Sequence, residues 1–262
     1  MIINRIEQSP FGVPYIRLLK DNAEMKVLCL SQTCETRARE LLIAEPEIIV
    51  WLDSISNSDL LIDVGANIGI YSLYAAIFRH ASVFSIEPDL ENHRALFLNS
   101  IANNIGNLIR VYPFASGSTS QISNLYISNL CEAGGSMNSI DKDLDSRLRP
   151  VTRPRLSRVV YKMRLDDLQS EIHGEKIFLK VDVDGFERQV ILGGTNLLQN
   201  CDRLSSIYIE LDMALEDHLQ TIKLIESFGF TYSEKQVSDS NIHIRTKWPE
   251  FSSLANFIFY RK

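Results

Sequence analysis

Two acidic residues and a glycine-bearing turn are the residues of this chain best placed to hold a ligand. Asp63 ends an apolar run at residues 60–62, and Gly65 and Gly69 lie in the segment that follows. Glycine has no Cβ, so a ligand can touch the backbone there, and the free amides of a following helix face the turn. Glu87 ends a second β-rich run roughly 20 residues later. An acid at that distance commonly accepts hydrogen bonds from a ribose diol.

The spacing of the glycines distinguishes this turn from the dinucleotide fingerprint G-x-G-x-x-G, because Gly65 is followed by Ala66 and Asn67 before Gly69. An NAD-dependent dehydrogenase is therefore disfavoured. Glycine turns also serve packing geometry alone, and a non-catalytic binding or scaffold protein with this fold is the main alternative. The glycines together with Glu87 favour a working cofactor site, since a scaffold does not need both.

Further acids follow apolar runs in the second half of the chain. Asp182, Asp184 and Glu187 come after the run IFLKV, and Glu210 lies near the end of LSSIYIELD. The carboxyl ends of parallel strands meet at one edge of an open sheet, so we expect these acids to face a common crevice. A carboxylate in that position can act as a general base.

Strand-like runs alternate with helical ones around these residues, which predicts a parallel sheet with helices on both faces. We expect a buried helix over 70–78 and a second helix between Asp89 as N-cap and Gly106 as stop. The run LIRVYPFAS predicts the third strand, with Ala115 and Ser116 at its end. Small side chains there leave room for a planar ring such as adenine, although they also suit a simple turn. The runs FTYSEKQ and NFIFYRK predict a C-terminal antiparallel pair.

Two segments lie outside this alternation. Residues 1–57 contain the β-like runs VPYIRLL and MKVLCL and two helical stretches joined at Glu45-Pro46, which predicts a hairpin and a helical cap. Residues 58–262 then form the main domain. Within it, 117–164 predicts an irregular insertion with strands at QISNLYISNL and RVVYKMRL. The long loop between them is typical of a lid or a binding loop.

Three motifs in order, DVGANIG, SIEPDLENHRALFLNSIANN and IFLKVDVDGFERQVILGG, resemble those of the FkbM-type methyltransferases, which use S-adenosylmethionine. The resemblance runs from about Glu45 to the C-terminus. It implies a class I methyltransferase fold, a Rossmann-like α/β architecture whose seven-stranded sheet has an antiparallel last strand. It also implies O-methylation of a hydroxyl on a sugar, glycan or other secondary metabolite. Asp184 is a departure, because the family more usually carries Glu there.

The residues and the resemblance together predict the members of the site. Asp182 and Glu210 are the candidate general bases, and His218 and His243 are weaker candidates. Asp182 could equally anchor the cofactor or pair with Lys180, and Glu210 could serve to fix its loop. The fourth strand ends in VDVDG and not in an Asn/Asp-Pro-Pro-aromatic turn, which disfavours an amine acceptor. The predicted cofactor-binding residues are Asp63, Gly65, Asn67, Ile68, Gly69, Glu87, Pro88, Ala115 and Ser116.

A basic cluster stands out in a chain of net charge −6. It is either a solvated loop or a set of guanidinium groups that bind a phosphate or carboxylate on the acceptor, and Arg153 and Arg155 are the residues we would test. Its members are Arg147, Arg149, Arg153, Arg155 and Arg158.

Composition excludes other classes of function. The acidic net charge argues against general nucleic-acid binding. No long apolar run and no signal-peptide core occur, so we expect a cytoplasmic protein without a transmembrane segment. The cysteines at 29, 34, 131 and 201 form no CxxC pair and have no histidine at metal spacing, which predicts free thiols and no zinc site. The acids at the strand ends do not by themselves establish a divalent metal.

Overall fold

A computed structural model of the protein describes residues 2–9, 12–128 and 132–262. The N-terminal segment forms a three-stranded antiparallel sheet followed by two helices. Asp21 and Asn22, with φ of 49° and 64°, make the tight turn of the predicted hairpin, which suits the twist of its two strands. These elements are β1 (Ile2–Gln8), β2 (Pro14–Lys20), β3 (Ala23–Leu28), α1 (Gln32–Glu40) and α2 (Pro46–Asp53).

The central sheet is built from alternating strands and helices, interrupted once by a small inserted sheet. The first half of the alternation comprises β4 (Leu60–Val64), α3 (Ile70–Phe78), β5 (Ser82–Ile86), α4 (Leu90–Ala102) and β6 (Ile109–Tyr112). The inserted strands are β7 (Ala115–Ser116), β8 (Gln121–Tyr126), β9 (Ser139–Ile140) and β10 (Ser157–Met163). The second half comprises β11 (Ile177–Val181), α5 (Glu187–Gly193), α6 (Thr195–Asn200), β12 (Leu204–Asp212), α7 (Glu216–Ser227), β13 (Phe230–Thr231), α8 (Glu234–Lys247) and β14 (Leu254–Arg261).

The order of strands across the central sheet is β13-β14-β12-β11-β4-β5-β6. All neighbours are parallel except those of β14, which runs antiparallel to both β12 and β13. The predicted class I fold, with its antiparallel last strand, is confirmed. Strands β4 and β11 are buried along their whole length, as expected for the centre of a sheet covered on both faces. Chain order reverses between them, so their carboxyl ends open into the crevice where such sheets hold ligands.

Two hydrophobic clusters cover the two faces of the sheet, and the N-terminal helices belong to one of them. Trp51 of α2 packs against the rings of Phe178 and Tyr208, with ring centroids 5.7 and 5.5 Å away. Its indole N–H donates a hydrogen bond of 2.7 Å to the Ser206 hydroxyl. Helix α2 is therefore anchored on the sheet next to the crevice.

The third strand is shorter than predicted. It ends at Tyr112, because Pro113 has no N–H with which to continue the ladder. Ala115 and Ser116 instead pair in parallel with Lys162 and Met163 of β10, in the inserted sheet. That sheet has the order β7-β10-β8-β9 and contains the predicted strands at 121–126 and 157–163.

Two other boundaries differ from the prediction. Helix α4 has the predicted cap, since the Asp89 carboxylate accepts hydrogen bonds from the N–H groups of Glu91 and Asn92, but it ends at Ala102, before Gly106. The predicted pair of C-terminal strands exists only for β13 and β14. The remainder of FTYSEKQ is helical, because the Ser233 hydroxyl accepts the Gln236 N–H and starts α8.

Candidate active site

The carboxyl ends of the central strands meet at a cavity of about 300 Å³. The turn after β4 forms the middle of the wall, with the ends of β5 and β7 on one side of it and the ends of β11 and β12 on the other. Residues 135–140 of the insertion close it from outside. Most of the predicted site residues line this one cavity, namely Gly65, Asn67, Glu87, Pro88, Ala115, Ser116, Asp182 and Glu210.

Gly65 permits a close approach that no other residue would allow. Its φ is +78°, and a Cβ at this position would lie 1.8 Å from the carbonyl oxygen of Asp182. The exits of β4 and β11 can therefore come together only because Gly65 has no side chain. This contact places the Asp182 carboxylate beside the turn.

Three predicted cofactor residues do not line the cavity. The Asp63 carboxylate is fully buried, accepts the Ser72 hydroxyl at 2.6 Å and lies 3.2 Å from the Lys180 ammonium. Ile68 is fully buried in the core, and a Cβ on Gly69 would lie 2.7 Å from Leu96. The structure places these three residues behind the turn, and their direct contact with a cofactor stays a prediction.

Glu87 is held rigidly at the cavity wall. Its two carboxylate oxygens accept the backbone N–H groups of Asn67 at 2.8 Å and Asp89 at 2.7 Å. Each oxygen keeps a further lone pair for a ligand. Burial raises the pKa of Glu87 to about 7, although the two N–H donors oppose the rise.

Ser116 presents a hydroxyl for which the structure supplies no partner. Its Oγ is buried and has no hydrogen-bond partner among the described residues. Together with Ala115 it lines the cavity on the side of β7. A buried polar atom without a partner is unusual, and a polar group of a ligand would satisfy it.

Carboxyl groups are concentrated on the side of the cavity formed by the ends of β11 and β12, which we call the acidic wall. Asp182, Asp184, Glu210 and Glu45 all line the cavity. Burial is the largest cause that raises the pKa of three of them, and the charge of Asp182 is the second. The pKa of Glu45 is raised, that of Glu210 is raised well above its usual range, and that of Asp184 is raised to about 7. We therefore expect some of these groups to be protonated at neutral pH, so that this wall offers hydrogen-bond donors as well as acceptors.

Glu187 and His218 form a buried pair at the back of this wall. The Asp212 N–H donates to Nδ1 of His218 at 2.8 Å, so the ring proton lies on Nε2, which is 3.0 Å from the Glu187 carboxylate. The other Glu187 oxygen accepts the N–H groups of Val183 and Gly185. Burial lowers the pKa of His218, but the Glu187 carboxylate outweighs this effect and leaves it raised. The pair fixes the turn that carries Asp184.

A known protein family matches most of the central sheet and its helices. The family described as the methyltransferase FkbM domain matches residues 63–232, which include the glycine turn, Glu87, Ser116, Asp182 and Glu210 of the cavity. The chain belongs to the FkbM methyltransferase family. A search of curated protein sequences finds no significant match.

Solved structures similar to this FkbM-family chain include several methyltransferases. The human methyltransferase 10 domain containing protein is 14% identical, with 83% of this chain and 82% of that chain covered and a TM-score of 0.44. The precorrin-6y C5,15-methyltransferase from Geobacter metallireducens GS-15 is 8% identical, with 82% and 86% covered and a TM-score of 0.43. The P. horikoshii TYW2 in complex with MeSAdo is 11% identical, with 95% and 72% covered and a TM-score of 0.40.

One side of this FkbM-family site is formed by residues that were not predicted. Arg37 of α1 lines the cavity and donates from Nε to the carbonyl oxygen of Gly134 at 2.7 Å. The next residue, Gly135, accepts the side-chain amide of Asn67 at 2.7 Å, and the Met137 N–H donates to Asp184 at 2.6 Å. Only the length of the insertion indicated such a role, since neither α1 nor residues 134–137 carry a recognisable motif.

The basic cluster of the insertion is mostly structural. Arg155 donates to Asp143 at 2.6 Å and to the carbonyl of Met137 at 2.7 Å, and Arg153 is exposed away from the cavity wall. Neither of these two arginines lines the cavity, so the hypothesis that some of the cluster hold an acidic group of the acceptor stays a prediction that depends on Arg147. Of the five arginines only Arg147 lines the cavity, where it donates to the carbonyl of Glu250.

Other predicted features lie away from the cavity. His243 faces the carbonyl oxygens of Ile43 and Ala44. Cys29, Cys34 and Cys201 are free thiols, and Cys131 is outside the described residues. In the described ranges, no group of three or more His, Cys, Asp and Glu side chains has an arrangement that could hold a metal ion. No helix in the same ranges is long and apolar enough to cross a membrane.

Proposed function

We propose that this FkbM-family protein is an S-adenosylmethionine-dependent O-methyltransferase that acts on a hydroxyl of a sugar, glycan or other secondary metabolite. The observation that carries the proposal is that a single cavity joins two walls of different chemistry. The wall of Gly65, Glu87 and Ser116 suits a nucleoside, and Asp182 on the acidic wall can take up a proton. A methyl donor and an alcohol could therefore meet inside one enclosure.

The first wall fits the proposed cofactor in its chemistry. Glu87 would accept the hydroxyls of the ribose, and the unpartnered Ser116 Oγ would bind the polar edge of the adenine. The backbone at Gly65 and Asn67 would lie along the remainder of the molecule. When bound, S-adenosylmethionine supplies a methyl group on a sulfonium that is already a good leaving group, so the protein need only position it and exclude water.

The second wall suits an acceptor with several hydroxyls. An alcohol loses its proton as it is methylated, and a carboxylate oxygen of Asp182 could accept that proton. Glu45 and Glu210 would hydrogen-bond to neighbouring hydroxyls. The rings of Trp248 and Phe251 also line the cavity and would pack against the apolar face of a sugar.

The cofactor part of the proposal is tested by thermal unfolding with saturating S-adenosylhomocysteine, S-adenosylmethionine or NAD. We expect the first two to raise the Tm by about 5–10 °C at about 100 times their Kd. Glu87→Ala should abolish the shift, because it removes both ribose acceptors. Glu226→Ala, at an exposed position on α7, is the matched control and should retain it.

The remaining outcomes separate the alternatives. A shift with NAD alone would indicate a dinucleotide enzyme. No shift with any ligand would favour the non-catalytic scaffold. If the shift is found, methyl transfer from labelled S-adenosylmethionine to a panel of sugars, glycans and phenols, read as product mass, identifies the acceptor. Transfer to amines and not to hydroxyls would contradict the O-methylation proposal.

The pKa of Glu87 predicts how cofactor affinity depends on pH. A carboxylate accepts hydrogen bonds from both ribose hydroxyls only when it is ionised, and burial raises the pKa of Glu87 to about 7. Affinity for S-adenosylhomocysteine should therefore rise between pH 6 and pH 8 and level off above, with a slope approaching tenfold per pH unit below the pKa. Isothermal titration calorimetry over this range measures the effect.

The control for this prediction is Glu87→Gln, which cannot ionise and should bind weakly with a flat pH profile. Asp184 also has a pKa raised to about 7, by burial and by the charge of Asp182. If Glu87→Gln keeps the wild-type slope and Asp184→Asn loses it, Asp184 is the group that controls affinity and the prediction for Glu87 is wrong.

A further inference from the structure

Arg37 is a cation of the cavity that forms no ion pair with any carboxylate of the described residues. It lies on α1, is half-buried, and is oriented by the hydrogen bond from its Nε to the Gly134 carbonyl. Its terminal nitrogens make no hydrogen bond or ion pair with any described residue. This is unusual in a cavity lined by Glu45, Asp182 and Asp184, because an arginine surrounded by acids normally pairs with one of them.

Lys180 and Arg147, which also lie near the site, differ from Arg37 in pairing and in exposure, respectively. Lys180 is buried behind the wall, between Asp63 and Asp182. Arg147 is exposed, at the mouth, and donates to a backbone carbonyl. Among the guanidinium groups of the described residues that line the cavity, Arg37 thus has its planar end free for a ligand. Guanidinium binds carboxylates in a bidentate manner, which makes a carboxylate the natural occupant.

Backbone contacts place Arg37 close to the glycine turn. Gly134, which accepts from Arg37, is followed by Gly135, whose carbonyl accepts the Asn67 side chain within the turn itself. Burial raises the pKa of Asp184 to about 7, and the charge of Arg37 opposes that rise, so the guanidinium is also within electrostatic reach of the β11 exit. Arg37 therefore lies between the turn and the acidic wall.

If the ribose of the cofactor lies at Glu87 and its adenine at Ser116, the rest of the cofactor must lie in another part of the cavity. In S-adenosylmethionine this portion is an amino acid with one negative and one positive group. The part of the cavity between the turn and the acidic wall offers one free cation and several carboxyl groups, which match those two charges.

We propose that Arg37 binds the α-carboxylate of the amino-acid portion of S-adenosylmethionine, with the ammonium of that portion directed toward the acidic wall. This inference rests on the proposed function. It assigns α1, which lies before the matched family domain, to the cofactor site. A carboxylate on the acceptor has the same chemistry, and the experiment distinguishes the two sources.

The test compares two ligands by isothermal titration calorimetry on the full chain. S-adenosylhomocysteine carries the amino-acid portion, and 5′-methylthioadenosine lacks it. In Arg37→Gln we expect the Kd for S-adenosylhomocysteine to rise about 10–100-fold, with the Kd for methylthioadenosine unchanged. Arg37→Lys should retain part of the affinity, because lysine keeps the positive charge but lacks the two parallel N–H donors of the guanidinium group. Arg39→Gln is the control, since Arg39 pairs with Glu35 on the exposed face of the same helix.

Each other result overturns the inference. Equal weakening of both ligands would mean that Arg37 only supports residues 134–137 through the Gly134 carbonyl. Unchanged affinity for both would leave a carboxylate of the acceptor as its ligand. Failure of the wild-type chain to bind either ligand would contradict the proposed function itself, so the two failures are distinguishable.

Discussion

Asp182→Asn is expected to lower the kcat of methyl transfer by about 10²–10⁴-fold while S-adenosylhomocysteine binding stays within a few-fold of wild type. Asparagine has the shape of aspartate but cannot accept a proton from the acceptor hydroxyl. The position supports this role, because the Asp182 backbone meets the turn at Gly65 and its carboxylate lines the cavity only 3.4 Å from the Lys180 ammonium. Single-turnover kinetics with the acceptor found by screening would measure the loss.

Glu210 should behave differently, although the sequence made it an equal candidate. Burial and four surrounding carboxyl groups raise its pKa well above the usual range, so at neutral pH a protonated Glu210 would donate to the acceptor oxygen. Glutamine also donates a hydrogen bond, so Glu210→Gln should change kcat less than tenfold, whereas Glu210→Ala should cost more.

Matched controls keep these outcomes interpretable. Asp239→Asn removes an exposed carboxylate paired with Lys235 and should have no effect on turnover. A full rate in Asp182→Asn combined with a large loss in Glu210→Gln would exchange the two roles. Full rates in both variants would leave the reaction without a carboxylate base and would contradict the prediction.

Local patterns were sufficient where the chemistry depends on neighbours in sequence. The apolar runs of β4, β5, β11 and β12, the glycine turn and the acid after β5 all follow from spacing within short windows. Helix α8 carried such a signal too, since Ser233 and Gln236 form the S-x-x-Q pattern of a capping box. This capping signal is easily overlooked, because the preceding residues 230–232 are β-like and predict a longer strand.

The rest of the site depends on contacts between distant segments, which no local pattern reports. Arg37 and Gly134 are 97 residues apart, and Asn67 and Gly135 are 68 apart. Strand β6 stops at Tyr112 because Pro113 cannot continue it, and the orphaned hydroxyl of Ser116 is visible only once that chain has folded back on β10. The fold class is therefore predictable here. The part of the cavity formed by α1 and by residues 134–137 is not.

Asp63 shows that a position inferred from sequence does not reveal the partner of a side chain. It lies one residue before the end of β4, close to where such sheets hold ligands, yet its partner is Lys180 on the adjacent strand, in direct register. The sequence contains both residues but not their pairing. The Asp63 carboxylate pairs with Lys180 inside the sheet. The Lys180 ammonium also lies 3.4 Å from the Asp182 carboxylate, so the buried lysine lies between the core of the fold and the proposed base.

Lys180→Met should therefore destabilise the protein by about 3–5 kcal/mol, because it leaves Asp63 buried without a counter-charge. Burial lowers the pKa of Lys180, but the charges of Asp63, Asp182 and Glu45 outweigh this and leave it raised. A raised lysine pKa means that its stabilising contribution is complete below pH 10.5 and is lost only as pH rises through the folded value. Urea unfolding at pH 7 thus measures the full effect.

The pH dependence of the variant tests the stated cause. Once Lys180 is gone, Asp63 can avoid the burial of a charge by taking up a proton, so the destabilisation of Lys180→Met should shrink as pH falls from 7 toward 4. Lys235→Met, at an exposed position, should be neutral throughout. The double variant Lys180→Met with Asp63→Asn removes both charges and should recover much of the stability, because an apolar group and a neutral amide are cheaper to bury than one unpaired carboxylate. If the double variant is as unstable as the single one, lost packing at the centre of the sheet is the cause, and the charge pair contributes little.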